Sequence, residues 1–186
     1  MENVSGQIKG NMKGRFNEIL RALKKTDYKI KVKLMNTKYY QVPQSRERLI
    51  YIGVRNDLKI EPKFPKPSQN LITVREALKN VKNKTFYKGK ISERQKQDRV
   101  FWDKPASTIL KVVNSIRGSC VVHPEDNRHL TIEEAKRICS FPDNFQFIGS
   151  FSEQWARVGN AVMPNFMKAI AENIKINILY GKIPKF

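Results

Sequence analysis

The chain has 186 residues, with 36 Lys and Arg against 17 Asp and Glu, a formal charge of +19. With 40% apolar residues it can bury the core of one ordinary domain or two small ones, and no run approaches the roughly 20 apolar residues that span a bilayer. Its two cysteines, Cys120 and Cys139, have no Cys-x-x-Cys partner and no histidine at ligand spacing, which argues against zinc, any other metal and a disulfide framework. The first residues lack the basic-then-apolar pattern of a secretory signal, so a reducing cytoplasm is the expected setting. So large a cationic excess concentrates polyanions. Nucleic acid is the expected partner, ahead of a membrane surface, because no helix sets a basic face against a Trp/Leu-rich one.

Residues 11–25 place Met12, Phe16, Ile19, Leu20 and Leu23 on one stripe, the pattern of an amphipathic helix. Ile30, Val32 and Leu34 then alternate with Lys31 and Lys33, as in a strand. Residues 49–54 are continuously apolar, which suits a strand buried on both faces. Three prolines in 61–67 predict a linker. The string Thr73-Val-Arg-Glu76 is a capping box opening a short helix. From 80 to 127 periodicity is weak and lysine dense, so irregular structure is expected, with a short strand at 107–113. A second capping box, Thr131-Ile-Glu-Glu134, starts a helix carrying Ala135, Ile138 and Cys139 and stopped by Phe141-Pro142. A last helix starts near Pro164, with Met167, Ile170, Ala171, Ile174 and Ile178 on its apolar stripe and Gly181 and Pro184 closing it.

Four segments, in this order, resemble blocks of the DNA cytosine-5 methyltransferase family. They are Glu2-Asn3-Val4 with Gly6; Tyr40-Gln41-Val42-Pro43-Gln44-Ser45-Arg46-Glu47-Arg48; Arg128-His129-Leu130-Thr131 running on to Phe141-Pro142-Asp143; and Val158-Gly159-Asn160-Ala161-Val162-Met163-Pro164. Trp102-Asp103-Lys104-Pro105 with Ala106-Ser107-Thr108-Ile109 also looks like a phrase of the family's recognition domain. The family's glycine-rich segment for S-adenosyl-L-methionine and its Pro-Cys-Gln nucleophile segment have no counterpart in the 186 residues. Cys139, on a helix's apolar stripe, reads as a buried structural thiol, and Cys120 reads equally as a small core residue.

The resemblance implies an α/β fold: a partial, Rossmann-like S-adenosylmethionine-dependent lobe plus a small, mostly irregular or β target-recognition lobe. Expected divisions are 1–58 for strands and helix of the catalytic lobe, 59–127 for linker and recognition region, 128–150 for a joining helix, and 151–186 for the return to the catalytic lobe. It also implies methyl transfer to C5 of cytosine in duplex DNA, as in restriction-modification. A complementary chain would carry the glycine-rich and Pro-Cys segments, so that the chain is inactive alone. Alternative origins are a truncated gene product or a cut fragment. Alternative functions are a non-catalytic DNA-binding remnant or part of an RNA cytosine-5 methyltransferase.

By resemblance, Glu2 donates a proton to ring N3 as charge builds on the base. Arg46 and Arg48, two apart on an extended segment, face one side. Their planar forks suit a base carbonyl or phosphate, and the resemblance makes them anchors of the flipped cytosine. Asn160, with Ala161 and Val162, is expected at the carboxylate end of the cofactor, where a helix N-terminus favours anions. Expected DNA contacts are Gln44, which also orders its loop, the run Lys82, Lys84, Lys88, Lys90, Arg94, Lys96 and Arg99, with aromatic residues interleaved, and Arg128.

Overall fold

The computed structural model describes residues 1–8, 13–87, 89–113 and 122–180. Expectations for Met12, Lys88, Cys120, Gly181 and Pro184 lie outside the described residues. In chain order the elements are β1 (Glu2–Val4), α1 (Lys13–Lys24), β2 (Tyr28–Asn36), β3 (Glu47–Arg55), α2 (Val74–Leu78), α3 (Glu93–Gln97), α4 (Ile132–Ile138), α5 (Phe151–Asn160) and α6 (Pro164–Ile174). A π-helical turn, Lys175–Leu179, follows α6.

Contacts divide the chain into two units. The first holds Met1–Asn36, Glu47–Pro67 and the chain from Lys168 onward; the second holds Thr37–Arg46 and Ser68–Met167. These differ from the divisions expected at 58, 127 and 150. Residues 37–46 leave the sheet strands because their hydrogen bonds go to residues near 106, 109 and 159, described below.

The first unit is an α/β layer. Its sheet has the order β1-β3-β2, with β3 antiparallel to both neighbours. β1 and β2 therefore run parallel to each other, with α1 in the connection between them. The chain from Asn36 to Glu47 is too short for the helical crossover a parallel pair needs, so β3 returns antiparallel. The apolar run in β3 occupies the central position, and Leu49, Ile50, Tyr51 and Ile52 are all buried. Alternation in β2 leaves Lys29, Lys31 and Lys33 exposed and Ile30, Val32 and Leu34 half-buried. α1 brings Phe16 to Tyr51, with ring centroids 6.4 Å apart.

The proline-bearing segment is irregular, yet it is not a free tether. Glu61 pairs with Lys29 at 2.9 Å and Lys31 at 3.0 Å, Phe64 lies under the Lys33 ammonium, and the Lys63 carbonyl accepts from Asn173 at 2.6 Å.

The second unit packs Val42, Val74, Val100, Ile109, Leu130, Ile132, Ile138, Trp155, Val158 and Phe166 into a core. Short helices mark it, each opened by a reciprocal capping box: Thr73 with Glu76, Ser92 with Gln95, Thr131 with Glu134, and Ser150 with Glu153. The strand expected at 107–113 does not form. Ala106 makes a single parallel bridge to Gln44, and the residues after it carry no ladder, because their partners are side chains and a helix end. Among the described residues, no helix is long and apolar enough to cross a membrane.

Thr131 is fully buried, and its hydroxyl accepts from the Glu134 amide at 3.1 Å while reaching Asn83 at 2.7 Å. Thr131→Ala should lower the unfolding free energy by about 1–2 kcal/mol in urea titration, with Thr131→Ser recovering most of it. Equal stability of all three proteins would show that this cap does not hold α4.

Candidate functional site

In the first unit, β1 and β3 bring two of the expected catalytic residues together. Register sets Glu2 against Ile50 and Val4 against Arg48, so Glu2 and Arg48 meet diagonally. Arg48 Nε lies 2.6 Å from Glu2 Oε1, with side chains 14% and 24% exposed. Burial pushes the Arg48 guanidinium below its ordinary value, against the pull of the Glu2 charge and hydrogen bond. A further Arg48 N–H donates to the Glu47 carbonyl at 2.7 Å. A partly exposed carboxyl beside a guanidinium can bind a planar polar ring through carboxyl oxygens and a fork of donors.

In the second unit, Arg46 is buried. Its Nη1 donates to the Ile109 carbonyl at 2.9 Å and its Nη2 to the Gly159 carbonyl at 2.8 Å. The segment it holds is knitted to its neighbours: Ser45 N–H donates to Ala106 O at 2.7 Å, Ala106 N–H to Pro43 O at 3.0 Å, and the Thr108 hydroxyl to Ser45 O at 2.9 Å. Thr37 ties the loop closed, donating its hydroxyl to Gln44 O at 2.6 Å and accepting from Arg46 N–H at 3.1 Å. Arg46 thus joins three distant stretches of the chain, a positioning contact.

Gln44 was expected to touch DNA, but its side chain is 0% exposed. It donates to Cys139 Sγ at 3.1 Å, and its Oε1 meets no partner among the described residues. In this packing its task is inside the unit. Burial pushes the Cys139 thiol up to about 12, despite the Gln44 hydrogen bond and the Arg46 charge. It is therefore neutral and shielded, the opposite of an activated nucleophile.

Asn160 is the last residue of α5 and is exposed; Ala161 and Val162 behind it are half-buried. The expectation that it sits at a helix N-terminus needs correcting. It stands at a C-terminal end, where carbonyls point outward, and Arg46 caps one of them. At the start of α6, the Asn165 amide is taken by the Ser140 hydroxyl at 3.1 Å.

The expected DNA-contact residues separate into two groups. Lys82, Lys84, Lys90 and Arg94 are exposed. Lys96 pairs with Glu93 at 2.6 Å. Arg99 is turned inward onto the His123 and Asp126 carbonyls and Asn127 Oδ1. Arg128 grips Glu134 with two bonds of 2.8 Å and Asp126 with one of 2.8 Å. Arg99 and Arg128 are thus internal clamps, because their guanidinium groups are spent on protein acceptors. Burial raises the Glu134 carboxyl, but the Arg128 hydrogen bonds and the Thr131 amide outweigh it and hold it below its ordinary value. Among the described residues, no cluster of His, Cys, Asp or Glu could hold a metal ion.

Two elements of this region were missed. α5 announces itself by Ser150-Phe-Ser-Glu153 and by apolar residues at 151, 155 and 158, and α3 by Ser92-Glu-Arg-Gln95. Gly159 is the residue whose need has no sequence signal. A Cβ there would lie 2.6 Å from Leu110 O and 2.7 Å from Lys111 N.

Comparison with known proteins gives one consistent picture. The family profile of the C-5 cytosine-specific DNA methylases matches residues 1–101 and 72–176. The chain is 29% identical over 219 residues to the type II methyltransferase M.PspPI of Psychrobacter sp. (strain TA137), covering 93% of this chain and 52% of that protein. It is 29% identical over 213 residues to M.Sau96I of Staphylococcus aureus, covering 93% and 49%. The chain thus spans about half the length of these relatives. Among solved structures, a prophage-encoded DNA modification methyltransferase (E. coli) superposes with a TM-score of 0.74 at 19% identity, covering 96% of this chain and 68% of that one, which is a likeness of fold.

Two outcomes follow from this geometry. Alanine is a better helix former than glycine by about 1 kcal/mol, but at Gly159 its methyl collides with backbone. Gly159→Ala should therefore destabilise by about 2 kcal/mol in denaturant unfolding; a gain in stability would mean that the 109–111 segment moves aside easily.

Burial, helped by the Arg128 charge, holds His123 below its ordinary value, and burial does the same for His129, whose ring nitrogens meet no partner among the described residues. The unfolded chain binds these protons more readily. Stability is therefore complete above the unfolded value near 6.5 and declines as pH falls below it toward the folded values. The nearby carboxyls Glu134, Asp126 and Asp143 are all held low and titrate below this window. Thermal melts at about pH 7.5 and about pH 5.5 should show the drop, and replacing both histidines by glutamine should flatten it.

Proposed function

Because this chain belongs to the C-5 cytosine-specific DNA methylase family, we propose that it forms the proton-donating and DNA-recognising part of an enzyme that methylates C5 of cytosine in duplex DNA. The observation that carries this reading is the Glu2–Arg48 pair at the β1–β3 join. Carbon 5 of cytosine becomes nucleophilic when a thiolate adds at C6, and the ring then needs a proton at N3. Glu2 delivers that proton as a general acid. Arg48 orients the Glu2 carboxyl and turns its remaining donors to the base carbonyl O2.

S-adenosylmethionine supplies the electrophilic methyl group when bound. The residues at 160–162 fit one edge of such a ligand: Asn160 exposes its carboxamide, and Ala161 and Val162 offer apolar contact. Its other contacts would come from a glycine-rich segment outside these 186 residues. The nucleophile comes from outside as well in this reading, since neither Cys120 nor Cys139 stands in a Pro-Cys-Gln segment and Cys139 is buried and neutral. A Pro-Cys segment elsewhere in the same polypeptide or in a complementary chain provides it. The exposed cations Lys82, Lys84, Lys90 and Arg94 hold the duplex by its phosphates, and the target base leaves the stack to reach Glu2.

The test is complementation. The 186-residue chain is mixed with a polypeptide carrying the glycine-rich and Pro-Cys segments, and transfer of labelled methyl to duplex DNA is counted. The mixture should be active and the chain alone inactive. Glu2→Gln should cut the rate by about 100-fold or more without weakening duplex binding. Turnover by the chain alone, or an undiminished Glu2→Gln rate, would falsify the assignment.

A further inference from the structure

A cleft of 520 Å³ opens in the second unit between residues 80–85, α4 and residues 143–147, within the size range of small-molecule sites. It contains none of the residues assigned above to proton donation or to the cofactor. Four cations line it, Lys82, Lys84, Lys136 and Arg137, against two carboxylates, Glu133 and Asp143. Both carboxylates are already engaged. Glu133 accepts from the Lys84 and Thr85 amides and the Thr85 hydroxyl, and Asp143 is clamped by Arg137 through two bonds of 2.7 Å.

Lys136 is the anomaly in this cleft. It is 8% exposed, yet its ammonium donates to one protein acceptor, the Asp143 carbonyl at 3.1 Å, and no carboxylate pairs with it among the described residues. An ammonium carries three N–H groups, so two remain for another acceptor. The Asp143 carboxylate feels the Lys136 charge but is held by Arg137, so an anion entering the cleft would add a direct partner for the ammonium.

The 141–147 segment is aromatic. Phe145 and Phe147 pack with ring centroids 5.0 Å apart, Phe141 completes the cluster at 5.1 Å from each, and Phe145 keeps 44% of its surface exposed. Asn80 and Gln146 add carboxamides to the lining. Cations, an exposed aromatic face, and amide donors and acceptors in one cleft match a planar heteroaromatic group bearing a phosphate.

We propose that this cleft binds a nucleotide, with its phosphate on Lys136, Lys82 and Lys84 and its base against Phe145. The nucleotide is either free or a unit of a DNA strand, since both present the same chemistry. At Lys82 and Lys84 the site rests on the duplex-binding reading above and deepens it, while Glu2 and Arg48 take no part in it.

Deoxycytidine monophosphate and, separately, inorganic phosphate are titrated into the full 186-residue chain and followed by amide NMR shifts and calorimetry. The nucleotide should bind saturably below about 1 mM, and phosphate at least about tenfold more weakly. Lys136→Met should weaken nucleotide binding about tenfold or more. Should that variant fold poorly, the exposed double variant Lys82→Gln/Lys84→Gln should weaken it about threefold or more. Absence of saturable nucleotide binding, phosphate binding as tightly as the nucleotide, or wild-type binding by a folded variant each overturns the proposal.

Competition with a short duplex containing one unpaired nucleotide separates the two sources. Mutual exclusion marks a DNA strand as the occupant, and independent binding marks a free nucleotide; either supports the site. Methyl transfer in the complemented enzyme is read separately through Glu2→Gln, so failure of one reading leaves the other intact.

Discussion

The second unit depends on a crossing that tolerates no side chain. At Gly159 the last turn of α5 meets the backbone of Leu110 and Lys111 closely enough that a Cβ cannot fit. Arg46 fixes the crossing by donating to Ile109 O on one strand of it and Gly159 O on the other, and Trp155 adds a bond of 3.0 Å to Leu110 O. These carbonyls are buried, and without the guanidinium two of them would need other donors. A lysine has the charge but cannot span both acceptors in one plane. Much around the crossing follows from it: the turn at 160–163, the start of α6, and the loop that carries Gln44.

The charge of the chain has two physical roles. Arg46, Arg99, Arg128 and Arg137 turn inward and bind carbonyls and carboxylates, joining segments far apart in sequence. Lys82, Lys84, Lys90 and Arg94 face outward with flexible stems. This division follows side-chain chemistry. A guanidinium can satisfy several fixed acceptors at once, whereas an ammonium is strongly hydrated and is more easily left in solvent; Arg94, an exposed guanidinium, is the exception on the outward side. Lys136 departs from it, and its place inside a cleft is what makes that cleft worth testing. The proposed phosphate attraction thus rests on fewer charges than the composition suggests.

The sequence was legible wherever a rule acts locally. Alternation at 30–34 and the apolar run at 49–54 read correctly as strands, and the boxes at Thr73 and Thr131 as helix starts, because each depends on neighbours within a few residues. By the same rules α5 was available from Ser150 and Glu153 and was overlooked. The strand expected at 107–113 failed for a different reason. Its β-branched residues fit a pleat, but the hydrogen-bond partners of this stretch include Arg46, Ser45 and Trp155 rather than another strand. The same limit applies to the candidate residues. The Glu2–Arg48 meeting follows from strand register, which motif order hints at. The inward turn of Arg99 and Arg128, and the burial of Gln44, depend on acceptors that only the folded chain assembles.

The two borders of the three-stranded sheet are unlike. Along β2, Lys29 and Lys31 pair with Glu61 and the Lys33 ammonium sits over Phe64, so a newcomer strand would meet charge. Along β1, Val4 is exposed and the strand has β3 as its single partner among the described residues. The β1 border, with Val4 exposed two residues from the carboxyl of Glu2, is therefore the less guarded of the two.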